Sequence, residues 1–340
     1  PGGGGTTAGE TAECGRPAGK PQISKAGRTG GFYGPDIFSA VSDYADTAAE
    51  IADTEDFKLT HAHDWMTYPA ASLIKSRKNR PLIVHVHSTE FDRSGENVNQ
   101  QVYNIERDGM HTADRIITVS NYTRDIVVRR YGVAPEKIDV VYNGVELDEL
   151  PPDCSLPEPD PAKRTVLFLG RVTMQKGPEY FIHAAKKVSE KVENARFIMA
   201  GDGDMLYRCI NLAADMKIGH KVFFTRFLRG SDVHKAYRMS DLYVMPSVSE
   251  PFGIVPLEAM RHGVPVIISR QSGISERLTN ALKVDFWDVD EMANKIASVL
   301  RYPALKSHLS SSGSKDVFRF RWDDAAVQIK EIYNRFMKSA

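Results

Sequence analysis

The sequence predicts an α/β protein built from two parallel sheets. Three observations carry this. The chain has 340 residues, more than one ordinary core accommodates. Short β-branched runs alternate with helical patterns in two long series. A proline-rich stretch, "ELPPDCSLPEPDPAKR", separates the two series. Strands alternating with helices imply parallel pairing through crossover connections, so each series forms a Rossmann-like domain.

The first series begins at Tyr33. "YGPDIFSAVSDYADTAAEIA" carries apolar residues at helical spacing, and "KLTHAHDW" reads as a short strand. "YPAASLIKSRK" is helical, "PLIVHVH" a strand, "NVNQQVYNIERDGMHTA" a helix and "RIITVS" a strand. "NYTRDIVVRRYG" is a helix with Ser120 or Asn121 as N-cap and Gly132 as its stop. "KIDVVYNG" closes the series. Five prolines within 151–161 forbid helix or central strand, so 151–163 reads as a linker.

The second series starts with strand "TVLFLGRV" and helix 177–190. Strand "RFIMAG", helix 204–217, strand "KVFFT" and helix 231–239 follow. Then come strand "DLYVMP", a helix near 254–262, strand "VPVIIS" and helix 273–279. The end is helical over 288–301, 304–312 and 322–338, and "RWDDAAVQIKEIYNRFM" is amphipathic. The domains expected are thus 32–150 and 164–315. Segment 316–340 packs back toward the first domain. Residues 1–31, rich in Gly, Ala, Thr and Pro, lack the large apolar residues that would offset ordering entropy and read as a disordered tail.

Composition narrows the function. Lys+Arg and Asp+Glu are equal at 44 each, which leaves no electrostatic footprint for nucleic acid. No apolar run approaches the ~20 residues of a transmembrane segment. Cys14, Cys154 and Cys209 are far apart without CxxC spacing, as expected of free thiols in a reducing, cytoplasmic setting.

Two stretches carry chemistry. In "SVSEPFGIVPLEAM" (247–260), Glu250 follows a strand and precedes a Pro-Phe-Gly turn, and Glu258 lies one turn into the next helix. The free N–H groups of residues 253–255 and the helix dipole make an anion site. The glutamates flank that site, and carboxylates accept well from vicinal sugar hydroxyls. In "FLGRVTMQKGPEYF" (168–181), Gly170 and Gly177 bracket Arg171 and Lys176, two cations suited to a diphosphate. Either stretch alone fits ordinary loop charges. Both lie at carboxyl ends of strands in one sheet, so they converge on one ligand, a nucleotide sugar.

Together these stretches resemble the retaining GT-B glycosyltransferases, the family 4-like group of glycogen and starch synthases. "GRVTMQKG" and Glu250-x7-Glu258 carry the resemblance, which runs from about Phe32 to the C-terminus. "FYGPDIFSAVSDYA", "HAHDWMTYPA" and "VHVHSTEFDR" look most like the glycogen-synthase branch. The resemblance implies a GT-B-like fold with a cleft between its two domains. It implies that Glu258 binds ribose, Glu250 holds the donor hexose near its 3-hydroxyl, and Phe252, Gly253 and Ile254 offer backbone N–H groups. Arg171 and Lys176 would stabilise the leaving diphosphate, and His87 would contact the transferred sugar. Asp64, Ser120 and Asn121 would lie toward the acceptor side. It further implies hexosyl transfer, glucose foremost, from a UDP-, ADP- or GDP-sugar to a saccharide or small hydroxyl acceptor. Transfer would need no metal or other cofactor, and the leaving phosphate would act as base. The family's opening strand, Gly-rich loop and two further strand–helix units have no counterpart here, so the chain reads as N-terminally truncated. An impaired homologue that binds nucleotide sugar without transfer is the alternative.

Two patterns remain. Gly201 and Gly203 in "AGDGDM" read as a strand-to-helix turn lining the cleft. His61, His63, His85 and His87 form two i,i+2 pairs on neighbouring strands. The expectation is His63 and His87 at the cleft, His61 and His85 structural, and no metal, for want of a carboxylate or thiolate partner.

Overall fold

The computed structural model describes residues 36–146, 160 and 162–337. The expected tail 1–31, most of the expected linker, Cys14 and Cys154 lie outside the described residues. The chain forms two compact units, Pro1–Phe38 and Ser39–Ala340. Only Asp36–Phe38 of the first are described; the second holds both sheets.

Helix α1 (Ile37–Thr54) buries Val41, Ala45, Ala49 and Ala52, spaced by three or four residues along one face. Strands β1 (Thr60–His63), β2 (Leu82–Val86), β3 (Arg115–Thr118) and β4 (Ile138–Val140) form a parallel sheet in that order. Between them lie α2 (Tyr68–Lys78), α3 (Glu90–Ser94), α4 (Gln100–Thr112) and α5 (Asn121–Tyr131). Ser120 caps α5, its Oγ accepting from the Thr123 N–H, and Gly132 ends it in a left-handed conformation, φ 68°. Helix α3 was absent from the sequence reading. It is only five residues long and rests on a capping box between Thr89 and Asp92.

The second sheet runs β10–β9–β8–β5–β6–β7, all parallel. Its strands are β5 (Arg164–Leu169), β6 (Ala195–Ala200), β7 (Val222–Arg226), β8 (Leu242–Met245), β9 (Val266–Ser269) and β10 (Leu282–Val284). Helices α6 (Pro178–Ser189), α7 (Leu206–Asp215), α8 (Ser231–Arg238) and α9 (Ile254–Arg261) make crossovers, and α10 (Val289–Arg301) follows the last strand. Burial on both faces suits such a parallel sheet. Val166 and Phe168 of β5 enter one buried cluster with Phe181, Phe197 and Ile296. Leu167 enters another with Tyr243, Leu257 and Ile268. From β5 the chain builds outward through β6 and β7, then returns to place β8 against β5's other edge. That reversal opens a crevice at the carboxyl ends of β5 and β8.

Two expectations change in the second series. The helix expected at 273–279 is a 3₁₀ turn, Gly273–Glu276. The segment is tied to the Glu250 loop instead: Gly273 N donates to Glu250 O and Ile274 N to Phe252 O. Strand β10, only three residues with Lys283 at its centre, was not read from the sequence.

Helices α11 (Pro303–Val317) and α12 (Trp322–Met337) complete the chain. Ala325 and Ile332 of α12 share a buried cluster with Ile83, Ile117 and Val141 of the first sheet region.

Candidate active site

The crevice beside β5 and β8 holds a cavity of about 380 Å³. From β5 and the following turn come Phe168–Arg171, Gln175 and Lys176; from β8 onward come Ser247 and Glu250–Val255. His87, Ser88 and Asn143 close it from the first sheet's side. Eight of the expected residues therefore meet around one space: His87, Gly170, Arg171, Lys176, Glu250, Phe252, Gly253 and Ile254.

Local conformation explains the meeting. A 3₁₀ turn, Met174–Lys176, ends at Gly177, φ 63°, and α6 starts there with Pro178 at its first position. A side chain at 177 would put its Cβ 2.1 Å from the Pro246 carbonyl oxygen, so the lysine turn packs directly under the Glu250 loop. Lys176 Nζ lies 2.5 Å from Glu250 Oε2, and Ser247 Oγ donates to the same oxygen at 3.3 Å. Arg171 donates through Nη2 to Gln175 Oε1 at 3.1 Å, which keeps the guanidinium beside the cavity. Gly253, φ 108°, is the N-cap of α9, so the free N–H groups of the first turn face this space.

Glu258 faces a neighbouring cavity of about 540 Å³, shared with Tyr237, His234, His262, Arg261 and Trp322. Ile254 lines both spaces. Tyr237 OH donates to Glu258 Oε2 at 2.8 Å. Burial, then the charge of Glu258, pushes the Tyr237 phenol far up, so it remains a donor.

Gly201 and Gly203 act through the backbone and do not line either cavity. Gly201 has φ 149°, and a Cβ there would stand 1.8 Å from the Gly170 carbonyl oxygen. Gly203 is pressed against the Val172 carbonyl in the same way. The pair shapes the turn that presents Arg171.

On the other side, Asp64, φ 57°, turns over the end of β2 and accepts through Oδ1 from the His87 N–H at 2.8 Å. His63 is exposed, its Nδ1 2.9 Å from His87 Nε2. Ser120 is fully buried and donates to the Pro251 carbonyl at 2.5 Å. Asn121 donates to Glu276 Oε2 and the Tyr142 hydroxyl. Neither lines the cavity; Ser120 fastens the Glu250 loop to the first sheet, and Asn121 fastens the 273–276 turn beside it.

A second fastening escaped the sequence reading. Ser249 Oγ donates to Asp92 Oδ1 at 2.5 Å, and Tyr122 OH lies 3.0 Å from Ser249 Oγ. Asp92 is almost fully buried, which raises its carboxyl against the bonds from Ser249 and Thr89. Behind it, Glu106 is buried with Arg93, the Tyr131 hydroxyl and the Glu90 N–H. Burial pushes the Glu106 carboxyl up to about 7 in spite of Arg93. The only signal for this network was a run of acids in "TEFDRSGE", which reads as a solvated loop.

Comparison with known proteins agrees with this geometry. Residues 15–149 match the Glycosyltransferase Family 4 profile, and residues 157–316 match Glycosyl transferases group 1. An uncharacterized glycosyltransferase of Methanocaldococcus jannaschii is 31% identical over 304 residues, 85% of this chain and 78% of that protein. The chain belongs to the GT-B glycosyltransferases of the family 4 type. The glycogen synthase of Mycobacterium tuberculosis is 26% identical over 284 residues, covering 81% of this chain and 68% of that enzyme. The Anabaena protein HepE, solved in complex with UDP and glucose, superposes with a TM-score of 0.71 at 21% identity, covering 89% of this chain and 83% of that one. The two-sheet arrangement is therefore the GT-B fold. Among the described residues no helix is long and apolar enough to cross a membrane.

Proposed function

We propose that this glycosyltransferase moves a hexose, glucose foremost, from a nucleoside-diphosphate sugar to a hydroxyl acceptor with retention of anomeric configuration. One observation carries the reading: Lys176 and Glu250, from two separate motifs, meet in a cavity that also holds Arg171, the α9 N-terminus and His87. This set suits a charged leaving group beside a polyhydroxyl ring. The cations and the helix dipole offset the negative charge that grows on the diphosphate as the glycosidic bond lengthens. Glu250 accepts from ring hydroxyls, and His87 faces the transferred sugar from the opposite wall. Glu258, in the adjoining cavity beside Tyr237, suits the ribose hydroxyls. The acceptor hydroxyl then attacks on the face the diphosphate leaves, and the departing phosphate takes its proton. No enzymatic nucleophile is required, and the lysine–arginine pair takes the charge-neutralising role that a divalent ion fills elsewhere. HepE's complex with UDP and glucose supports the same donor class here. Asp64, His63, Ser120 and Asn121 belong to the acceptor-side wall and its supports.

The test is a screen of UDP-, ADP- and GDP-glucose with saccharide acceptors, reading nucleoside diphosphate release, paired with calorimetric nucleotide binding. Turnover of one donor, undiminished by a chelator, is expected. Binding without turnover would mark a nucleotide-sugar-binding homologue instead, and no binding of any donor would overturn the reading.

A further inference from the structure

We propose that His61, His63 and His85 form a binding site for one divalent first-row transition-metal ion, zinc foremost, on the first sheet. The parallel register pairs His63 with His85, and strand alternation sends His61, His63 and His85 to one face of the sheet. His61 and His85 stack with ring centroids 5.5 Å apart; His63 lies 4.4 Å from His61 and 5.2 Å from His85. One ring nitrogen from each of the three lies within 4.8 Å of the others.

Two of these side chains are hard to explain otherwise. His85 is 4% exposed, and neither of its ring nitrogens has a hydrogen-bond partner. An imidazole always carries at least one N–H, and leaving such a group buried and unpaired costs about 1–3 kcal/mol. His61 Nε2 is likewise buried and unpartnered, while its Nδ1 sits 2.5 Å from the Tyr333 hydroxyl of α12. A histidine that ligates through one nitrogen holds its ring by a hydrogen bond from the other, which is this arrangement. Three imidazoles with a fourth position left to water is an established zinc ligand set, so no carboxylate or thiolate is required. Imidazole also suits copper and nickel. Tetrahedral bonds of about 2.0–2.1 Å bring ligand nitrogens to roughly 3.4 Å, so nitrogens now within 4.8 Å of one another close by up to roughly 1.4 Å on binding. His63, exposed, has room to swing.

The experiment uses the full chain without a histidine tag, freed of metal by chelator and dialysis. Zinc is titrated by calorimetry, and cobalt by the visible absorption of its tetrahedral complexes. One ion per chain is expected, with a zinc-dependent rise in Tm. His61→Gln and His63→Gln should each weaken binding about tenfold or more, and His234→Gln, a histidine of the second half, should not. His63 is exposed, so His63→Gln keeps the test valid if the His61 variant does not fold. Absence of ion binding, or unchanged affinity in folded His63→Gln, would overturn the proposal.

Discussion

Lys176 Nζ and Glu250 Oε2 lie 2.5 Å apart, joining a turn after β5 to a loop after β8 across the cavity floor. The glutamate is nearly buried and the lysine one-fifth exposed. Removing the lysine alone therefore strips a buried carboxylate of its countercharge and the cavity of a cation. Lys176→Ala should lose about 2 kcal/mol of stability and roughly 10²–10³-fold in kcat. Lys176→Ala with Glu250→Gln should recover most of the stability but none of the turnover. Thermal melts beside steady-state kinetics separate the two effects, and recovery of turnover in the double variant would contradict the assigned roles.

Gly201 stands where no side chain fits, with φ 149° and the Gly170 carbonyl 1.8 Å from any Cβ. Gly201→Ala should displace the 170–172 turn and with it Arg171. The expected result is donor affinity weakened about tenfold or more with the fold retained, a local geometric error acting on bound substrate. Nucleotide binding measured by calorimetry, checked against circular dichroism, decides it; wild-type affinity would rule the coupling out.

The hydrogen bond from Ser249 to Asp92 ties the Glu250 loop to α3. Ser249→Ala leaves a buried carboxylate short of a donor and should cost about 1–3 kcal/mol. Urea denaturation should show the midpoint falling with an unchanged slope. Asp92→Asn combined with Ser249→Ala should cost less than the two single changes added, because the pair acts as one contact.

Glu106 supplies a pH signature. Its carboxyl titrates near 7 when folded, well above the usual carboxylate range, because of burial. Between about 4.5 and 7 the folded chain then holds a proton that the unfolded chain has released. Stability contributed by this group is full below the unfolded value and falls as pH rises through that window. Glu106→Gln should flatten this slope. Tm measured from pH 4.5 to 8 for both proteins checks it; parallel curves would contradict the raised value.

These relationships also show what the sequence made legible. The regular strands and most crossover helices were readable because burial on both faces writes uninterrupted apolar runs such as "TVLFLG" and "VPVIIS". That Arg171, Lys176 and Glu250 come together was legible because all three follow strand ends in one sheet, where a crevice is a topological consequence; Glu258, inside α9, faces the adjoining cavity. What stayed hidden was contact between distant segments. Asp92 and Glu106 look like solvated acids until Ser249, Tyr131 and Arg93 are placed beside them. Segment 273–279 has helical composition, yet its backbone is spent on Glu250 and Phe252. Ser120 was legible as a cap but not as the clamp on the Pro251 carbonyl, a partner 131 positions away.

The central claim is retaining hexosyl transfer in the Lys176–Glu250 cavity, and proton NMR of the reaction tests it most directly. With UDP-α-glucose and a saccharide acceptor, the account predicts UDP release matched by a new α-glycosidic anomeric signal, both slowed about a hundredfold or more in Lys176→Ala. A β-linked product, or transfer that persists undiminished in that variant, would contradict it.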